Sequence, residues 1–363
     1  MHILLRGDNI ENLVKVVDVS KIINNLVQIK YHCKAKVIMV AKANFYGLGN
    51  LARFVDDFVD GYAVATANEG GCLRKYTDKK IIVFNARKED IPCIVDSGLE
   101  TNFYKADYLE ELNKIAKYKN KIINVHIPID TGMNRLGVKS EKEFLLVKNL
   151  VKNLPRIKLS GVYTHLYSTD STHIKCQLDI FDSFCSKYQC DNNVFLHAIS
   201  SQEIGVVTTN KYYDYVRIGL GCYAKTIENT YDVIKIYGNI LEIKDVNKGE
   251  NVGYDNGYVA KKDATIAVVT GGYYDGVNRK FKGRYAVVNS SKVKIVARPC
   301  MDVFFVDVSG VKAEIGDRVY LIDSDLGLSL EKVASNLKMS MHELLVGFNG
   351  RTKVKYENIS DLS

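Results

Sequence analysis

Several short apolar segments of this sequence are each followed closely by a polar side chain of a type that does chemistry. Lys42 comes directly after the apolar segment 37–40, and Arg135 comes shortly after a second one, residues 122–129. An amine that emerges from an apolar strand is desolvated, which lowers its pKa and makes it a nucleophile towards a carbonyl group. A single lysine in such a place can equally extend from the strand end into water. An arginine suits a carboxylate or another oxygen acceptor.

Three later apolar segments carry polar groups in the same way. Residues 159–163 lead to His165, residues 194–199 lead to Ser201, and Arg217 stands within the last segment. A single histidine of this kind is usually a buried structural residue, but polar groups at five successive strand ends favour a functional site. Because the active sites of barrel enzymes lie at the carboxyl ends of the strands, we expect these groups on one face.

The segments between these residues predict the elements that position them. Over the first 225 residues, apolar segments alternate with amphipathic ones such as 105–119 and 141–153, where apolar residues recur at helical spacing. Near-continuous apolar strands that alternate with helices are typical of a parallel sheet buried on both faces. Six or more such units in a row favour an N-terminal (β/α)8 TIM-like barrel over an open doubly wound sheet.

The pattern changes after about residue 226, where strands alternate with turns rich in Gly, Asn and Asp. This change favours a smaller, mostly antiparallel β domain. We therefore predict an α/β protein with a barrel at residues 1–228 and a C-terminal β domain at residues 229–363. The first residues of the chain can pack on the β domain.

The composition argues against several classes of protein. The 363 residues include 50 Lys and Arg against 42 Asp and Glu, and no basic stretch alternates with aromatic residues as in a nucleic-acid groove. The eight cysteines form neither a CxxC pair nor a His–Cys zinc spacing, which predicts no bound metal and a reducing compartment. The first residues lack a signal-peptide apolar core and cleavage site, and no run of 18 apolar residues occurs, so we expect neither a signal peptide nor a membrane span. We expect a cytoplasmic protein that binds neither nucleic acid nor a membrane.

Eight segments of the sequence resemble motifs of the alanine racemase family, in the family's order. They are VAKANFYGLG, IDTGMNRLG, GVYTHLYSTD, HAISS, VRIGLGCY, NVGYDNGY, GGYYDGVNR and RPCMDVFFVDV. The resemblance spans roughly residues 15–355. Agreement at this many ordered points is far more specific than any single motif.

The resemblance implies pyridoxal 5'-phosphate as the cofactor and gives the residues that would hold it. Lys42 would carry the cofactor aldehyde, and Arg217 would face the pyridine nitrogen. His342 stands where the family usually has a tyrosine near the phosphate and the substrate. The phosphate would be held by hydroxyl and backbone N–H groups of Tyr46, Ser201, Gly219 and Leu220.

The resemblance also implies racemisation of a small amino acid, most often the interconversion of L- and D-alanine, with two bases. Lys42 would serve one face of Cα, and Tyr273 from the second subunit of a homodimer would serve the other. His165 and Arg217 would lower the pKa of that phenol. The substrate carboxylate would be positioned by Arg135 and the Met301 backbone, with Asp302 supporting that region.

Three positions depart from the family pattern. Pro128 replaces a lysine, Ser200 replaces an asparagine, and His342 replaces the tyrosine. An imidazole is smaller than a phenol and adds a hydrogen-bonding group, so the pocket could accept a serine hydroxyl. A racemase for serine, or for a broader set of small amino acids, is therefore the alternative to an alanine racemase.

Two further alternatives are a non-catalytic regulatory protein that binds the cofactor and a decarboxylase of related architecture. Tyr273 in a β domain opposes the first, because the one-domain barrel proteins that bind this cofactor lack that domain. Arg217 opposes the second, because a guanidinium cannot give the ring nitrogen a proton as a carboxylic acid would.

Overall fold

The computed structural model of the chain describes residues 11–187, 193–207 and 213–359. It divides into two compact units, which we call the barrel unit and the β unit. The barrel unit comprises the described parts of residues 21–45 and 49–231. The β unit comprises those of residues 1–20, 46–48 and 232–363.

The described chain begins with the strand Val14–Asp18 (β1) and the helix Val19–Cys33 (α1). Eight parallel strands then close into a barrel in sequence order. They are Lys36–Val40 (β2), Gly61–Val64 (β3), Lys80–Val83 (β4), Glu100–Thr101 (β5), Ile123–Pro128 (β6), Ile157–Tyr163 (β7), Phe195–Ser200 (β8) and Tyr215–Ile218 (β9). The predicted barrel is confirmed, and its apolar strands are almost wholly buried because helices cover the outer face.

Helices connect the barrel strands. They are Lys42–Gly47 (α2), Ala52–Val55 (α3), Ala67–Leu73 (α4), Ile91–Ser97 (α5), Ala106–Tyr118 (α6), Glu141–Asn153 (α7) and Ser171–Lys187 (α8). The amphipathic segments predicted as helices form α6 and α7. Capping boxes begin two of them, with Thr66 and Glu69 at α4 and Ser140 and Glu143 at α7, and these side chains satisfy backbone N–H groups that have no partner within the helix.

The short helix α2 is left-handed. Ala43, Asn44, Phe45 and Tyr46 have φ angles between 51° and 60°, a region that L-residues other than glycine rarely adopt. Each such residue costs roughly 1–2 kcal/mol relative to a right-handed turn. Contacts around this segment must therefore hold it in place.

The β unit is built mainly from antiparallel strands, as predicted. They are Ile234–Val246 (β10), Asn251–Val252 (β11), Tyr258–Val259 (β12), Ala264–Thr270 (β13), Tyr285–Val288 (β14), Ser291–Ile295 (β15), Val303–Asp307 (β16), Arg318–Ile322 (β17) and Lys353–Glu357 (β18). The large sheet has the order β13-β16-β15-β14-β17-β10-β1-β18, and β10 also pairs with β13, so that six strands form a ring. The helices Leu330–Leu337 (α9) and Met341–Gly347 (α10) follow β17.

Strand β1 belongs to this second sheet, although it lies at the start of the chain. It pairs antiparallel with β10 and parallel with β18. Cys190 lies outside the described residues, and Cys33, Cys72, Cys93, Cys176, Cys222 and Cys300 are free thiols. Across the described ranges, no helix is both long enough and apolar enough to cross a bilayer.

Candidate active site

The barrel brings the five predicted polar positions to one end. Lys42, Arg135, His165 and Ser201 follow the carboxyl ends of β2, β6, β7 and β8, and Arg217 lies within β9. Because all eight strands are parallel, these ends share one face of the barrel.

Lys42 begins the left-handed helix α2, and its side chain is exposed. The expected desolvation of its amine is therefore wrong for this chain, because α2 carries the lysine beyond the apolar strand. The turn is fixed at its start by Glu69, whose Oε1 accepts the Ala43 N–H at 2.8 Å. The other carboxylate oxygen of Glu69 accepts from the N–H groups of Ala65 and Thr66.

Arg217 is a buried cation held by neutral acceptors. Its Nη1 lies 2.9 Å from both the carbonyl oxygen and Nδ1 of His197, and its Nη2 donates to the carbonyl oxygens of Thr164 and Ala198 at 2.8 and 3.0 Å. Burial lowers the pKa of Arg217 to about 10, which still leaves it charged at neutral pH. No carboxylate of the described residues lies within ion-pair distance of this guanidinium.

His165 lies near Arg217, with its Nδ1 3.4 Å from Arg217 Nη2. Burial, together with the positive charges of Arg217, Arg135 and Lys42, lowers the pKa of His165 to about 3. The imidazole is therefore neutral at physiological pH and acts as a hydrogen-bonding group. Arg135 itself is exposed on the loop after β6.

Ser201 organises the turn after β9. Its Oγ accepts the N–H groups of Gly219 and Gly221, each at 3.0 Å. A hydroxyl has two acceptor positions and one donor, so these contacts leave the Ser201 O–H to donate. The Gly219 N–H, which was expected to hold a phosphate, is already bound to Ser201. Leu220, the other residue expected to hold the phosphate, begins the short helical turn Leu220–Cys222 directly after Gly219.

A second group of predicted residues lies in the β unit. The loop after β13 approaches the loop before β16, where the Tyr273 N–H donates to the Cys300 carbonyl at 2.9 Å and the Gly271 N–H to the Asp302 carbonyl at 3.0 Å. A Cβ at Gly272 would lie 2.2 Å from the Met301 backbone, so only glycine fits there. Tyr273, Met301 and Asp302 are therefore neighbours. The Met301 side chain is 51% exposed and does not belong to the β core.

Asp302 is held by an arginine that sequence reasoning missed. Arg351 Nη2 lies 2.6 Å from the Asp302 carboxylate and 3.0 Å from that of buried Asp275. Asp275 in turn accepts the Gly272 N–H at 3.1 Å. These contacts fix the loop that carries Tyr273.

Tyr46 and His342 also lie together in the β unit. Their rings are 5.7 Å apart at an angle of 43°. Beside them, Lys15 of β1 is 1% exposed and donates from Nζ to the Gly47 carbonyl at 2.6 Å. The Tyr356 hydroxyl donates to the next carbonyl, that of Leu48, at 2.9 Å. Strands β1 and β18 thus hold the end of the left-handed turn.

Further buried polar residues of the barrel were missed, among them Glu100, His126 and Tyr163. The ring of Tyr163 stacks on that of His197 with 4.9 Å between centroids, and its hydroxyl accepts from Asn102 at 3.1 Å. A polar residue within a buried apolar strand, such as His126 between Val125 and Ile127, is the signal that could have found them.

Known proteins share this architecture and sequence. Residues 17–226 match the family model described as alanine racemase, N-terminal domain, and residues 233–356 match alanine racemase, C-terminal domain. Alanine racemase 1 of Bacillus subtilis is 30% identical over 356 residues, which cover 92% of this chain and 90% of that protein. The alanine racemase of Vesicomyosocius okutanii is 31% identical over 343 residues, with 92% and 95% covered.

Among solved structures, the alanine racemase of Bartonella henselae with covalently bound pyridoxal phosphate has a TM-score of 0.84 at 25% identity, covering 95% of this chain and 99% of that one. A closed barrel with polar strand ends, followed by an antiparallel β unit, defines a class of two-domain barrel enzymes. The chain belongs to the alanine racemase family.

Proposed function

We propose that this protein interconverts L- and D-alanine and uses pyridoxal 5'-phosphate as its cofactor. The observation that carries the proposal is Arg217, a buried guanidinium at the barrel's active face that has neutral acceptors around it. A group of this kind at the pyridine nitrogen accepts no proton and gives none, and so restricts the reaction to proton exchange at Cα.

The donor groups of the barrel fit this cofactor. Lys42 supplies an exposed primary amine for an aldehyde, Arg217 supplies N–H donors for a ring nitrogen, and the Ser201 hydroxyl is left to donate to a phosphate oxygen. The Leu220 backbone, in the turn after β9, is a further group that we assign to phosphate binding. In the β unit, Tyr46 and His342 supply a phenol and an imidazole, which also suit phosphate oxygens.

Racemisation requires one base on each face of Cα. Bound pyridoxal phosphate supplies an electron-withdrawing ring that acidifies the Cα proton. Lys42 then takes or returns the proton on one face, and Tyr273 does so on the other. We propose that His165, which is neutral, supports the Tyr273 phenol as a hydrogen-bond donor.

We assign substrate binding to Arg135 and to the Met301 backbone. The Arg135 guanidinium is exposed at the active face and can bind a carboxylate through two parallel N–H groups. The Met301 backbone is fixed by its close approach to Gly272, and Asp302 is fixed by Arg351. A small amino acid with a free carboxylate is therefore the substrate class we propose.

We also propose that the enzyme works as a homodimer in which each Tyr273 completes the site of the other subunit. Tyr273, Tyr274 and Met301 are 40%, 58% and 51% exposed, and the first two donate their backbone N–H groups to the Cys300 and Met301 carbonyls. Neighbouring large exposed side chains of this kind support a contact with a second chain. The cytoplasmic location expected from the sequence stays a prediction.

The experiment that tests the proposed function uses the purified chain with added cofactor. We expect L-alanine to become a mixture of both enantiomers without release of CO2, as measured by chiral chromatography. Borohydride reduction followed by peptide mapping should label Lys42, and Lys42→Ala should lose both label and activity. Lys36→Ala changes a lysine at the opposite end of the same strand and serves as the control. Label on another lysine, or release of CO2, contradicts the proposal.

A further inference from the structure

A continuous chain of hydrogen bonds joins Arg217 to a carboxylate deep in the barrel. Arg217 Nη1 lies 2.9 Å from Nδ1 of His197, and Nε2 of His197 lies 3.0 Å from Nδ1 of His126. Nε2 of His126 then lies 2.6 Å from Oε2 of Glu100. These four side chains are 4%, 0%, 1% and 7% exposed, so water does not compete for any of these contacts. We call this set the Glu100–Arg217 chain.

The two end groups fix the direction of every hydrogen bond in the chain. A guanidinium only donates and an ionised carboxylate only accepts. His197 must therefore accept at Nδ1 and donate its Nε2 proton to His126. His126 must accept at Nδ1 and donate its Nε2 proton to Glu100. All three contacts are satisfied only when both imidazoles are neutral and each has its proton on Nε2.

A cationic His126 does not fit this geometry. Its Nδ1 proton would force Nε2 of His197 to accept, and the remaining proton of His197 would then be on Nδ1. That proton would face the Arg217 guanidinium, with two donors 2.9 Å apart. Burial and the charge of Arg217 also lower the pKa of His197 far below its usual value. Burial alone would raise the pKa of Glu100, but its hydrogen bonds with His126 and Asn124 and the charge of Lys80 hold it below the usual value.

The surrounding residues hold the chain in this arrangement. Gly161 lies against His126, and a Cβ at position 161 would come within 2.0 Å of Nδ1, so a side chain there would displace the ring. The Tyr163 ring stacks on His197 at an interplanar angle of 9°. Asn124 Nδ2 donates to the second oxygen of Glu100 at 3.0 Å, which fixes the carboxylate plane.

We propose that Glu100 is a positioning residue for Arg217, which acts through His126 and His197. By accepting from His126, Glu100 sets the tautomer of both rings and so presents a lone pair of His197 to the guanidinium. Three backbone carbonyl oxygens also hold Arg217, and Glu100 sets its fourth acceptor without touching it. The catalytic consequence rests on the proposed function, because that proposal gives Arg217 its place at the pyridine nitrogen.

The tautomers of the wild-type protein provide the first test. We would label the full chain with 15N-histidine and assign the two rings with His126→Gln and His197→Gln variants. Both rings should be neutral with the proton on Nε2 between pH 6 and 8. A cationic ring, or a proton on Nδ1 at either position, overturns the proposal. This measurement needs neither turnover nor a variant of Glu100, so it decides even where such a variant does not fold.

The second test compares Glu100→Gln with Thr101→Val. Thr101 is the next residue of β5, is fully buried, and has a hydroxyl without a hydrogen-bond partner among the residues described, so its loss leaves the chain intact. We expect Glu100→Gln to shift the 15N resonances of His197 and of the Arg217 side chain, and Thr101→Val to leave them unchanged. A shift confined to His126 would show that Glu100 merely holds that ring, and overturns the proposal.

Kinetics of the cofactor-loaded enzyme separate this proposal from the proposed function. Glu100 cannot reach a substrate, so Glu100→Gln should lower kcat about tenfold with KM unchanged, and Thr101→Val should change neither. A raised KM with unchanged kcat contradicts a positioning role for Arg217. If the resonances respond as expected but neither enantiomer of alanine is converted by the wild type, the proposed function fails and the coupling of Glu100 to Arg217 stands.

Discussion

At the scale of single residues, Lys15 links folding stability to pH. Its ammonium group is buried against the Gly47 carbonyl, and burial lowers its pKa from 10.5 to about 8. Because the pKa is lower in the folded chain than in the unfolded one, the stabilisation is complete above about pH 10.5 and is lost as the pH falls through 8. The free energy of unfolding should therefore rise by up to about 3 kcal/mol over this interval.

Lys15→Met tests this coupling. The variant removes the titrating group and keeps an unbranched apolar stem, so the rise of the unfolding free energy between pH 8 and 10.5 should disappear from urea titrations. Lys294→Met alters an exposed lysine of β15 in the same unit and should keep the wild-type pH dependence. Equal slopes for the wild type and Lys15→Met would contradict the assignment.

The burial of Lys15 could not be predicted from the sequence. In the segment VKVVD a lysine between valines is typical of a strand with one face in water. Its burial depends on β18 and on the turn at Gly47, which are far away in the sequence. In contrast, the position of Lys42 after an apolar strand could be predicted, because the strand and the lysine are adjacent in the sequence.

We predict that His342 affects the choice of substrate. Its ring packs near that of Tyr46. A tyrosine at position 342 would be larger than the imidazole, and its ring edge would be less polar. Discrimination by one hydroxyl in an apolar pocket is worth about 1–3 kcal/mol. We expect His342→Tyr to lower kcat/KM for serine relative to alanine about tenfold, or about 1.4 kcal/mol. An unchanged ratio, with the cofactor still bound, would show that His342 does not determine the substrate.

At the scale of elements, the left-handed helix α2 depends on Glu69. The Glu69 carboxylate accepts three backbone N–H groups, one of them in α2. In Glu69→Gln the amide NH2 must face one of these donors, so we expect a loss of about 1–3 kcal/mol in the unfolding free energy. The rate of borohydride-trapped cofactor attachment at Lys42 should also fall, because the turn that aims this lysine is loosened.

A matched control is available in α7. Glu143 has the same capping-box contacts with Lys139 and Ser140 but no contact with the turn at Lys42. One oxygen of Glu143 accepts both N–H groups, so a glutamine could keep them; Glu143→Ala removes them and should destabilise the protein without slowing attachment of the cofactor. If both variants slow attachment equally, general loss of stability rather than the turn explains the effect.

The elements of the barrel differ in how well the sequence predicts them. Long amphipathic segments such as α7 begin at the predicted residues, because apolar periodicity and a capping box agree there. Strand β5 was not predicted, because it has two residues, Glu100 and Thr101, and neither is apolar. Only the neighbouring strands β4 and β6 define it. The Glu100–Arg217 chain could not be predicted from the sequence for the same reason, because it ends at Glu100 in β5.

At the scale of the whole molecule, shared sites predict complementation between two inactive variants. A heterodimer of Lys42→Ala with Tyr273→Phe would have one intact site and one doubly damaged site. After random exchange of subunits, about one quarter of the wild-type activity should return. Exchange is verified with subunits that carry different tags, and verified exchange without activity would exclude shared sites.

The left-handed helix α2 has a further consequence, which concerns the chirality of the chain itself. The φ angles of Ala43 to Tyr46 are those that mirror-image residues adopt without strain. A D-alanine placed at position 43 by chemical ligation would therefore fit this turn better than the natural residue, provided that its methyl group meets no neighbour. In a family that inverts the configuration of alanine, the lysine proposed to do so begins a segment whose backbone already has the opposite hand.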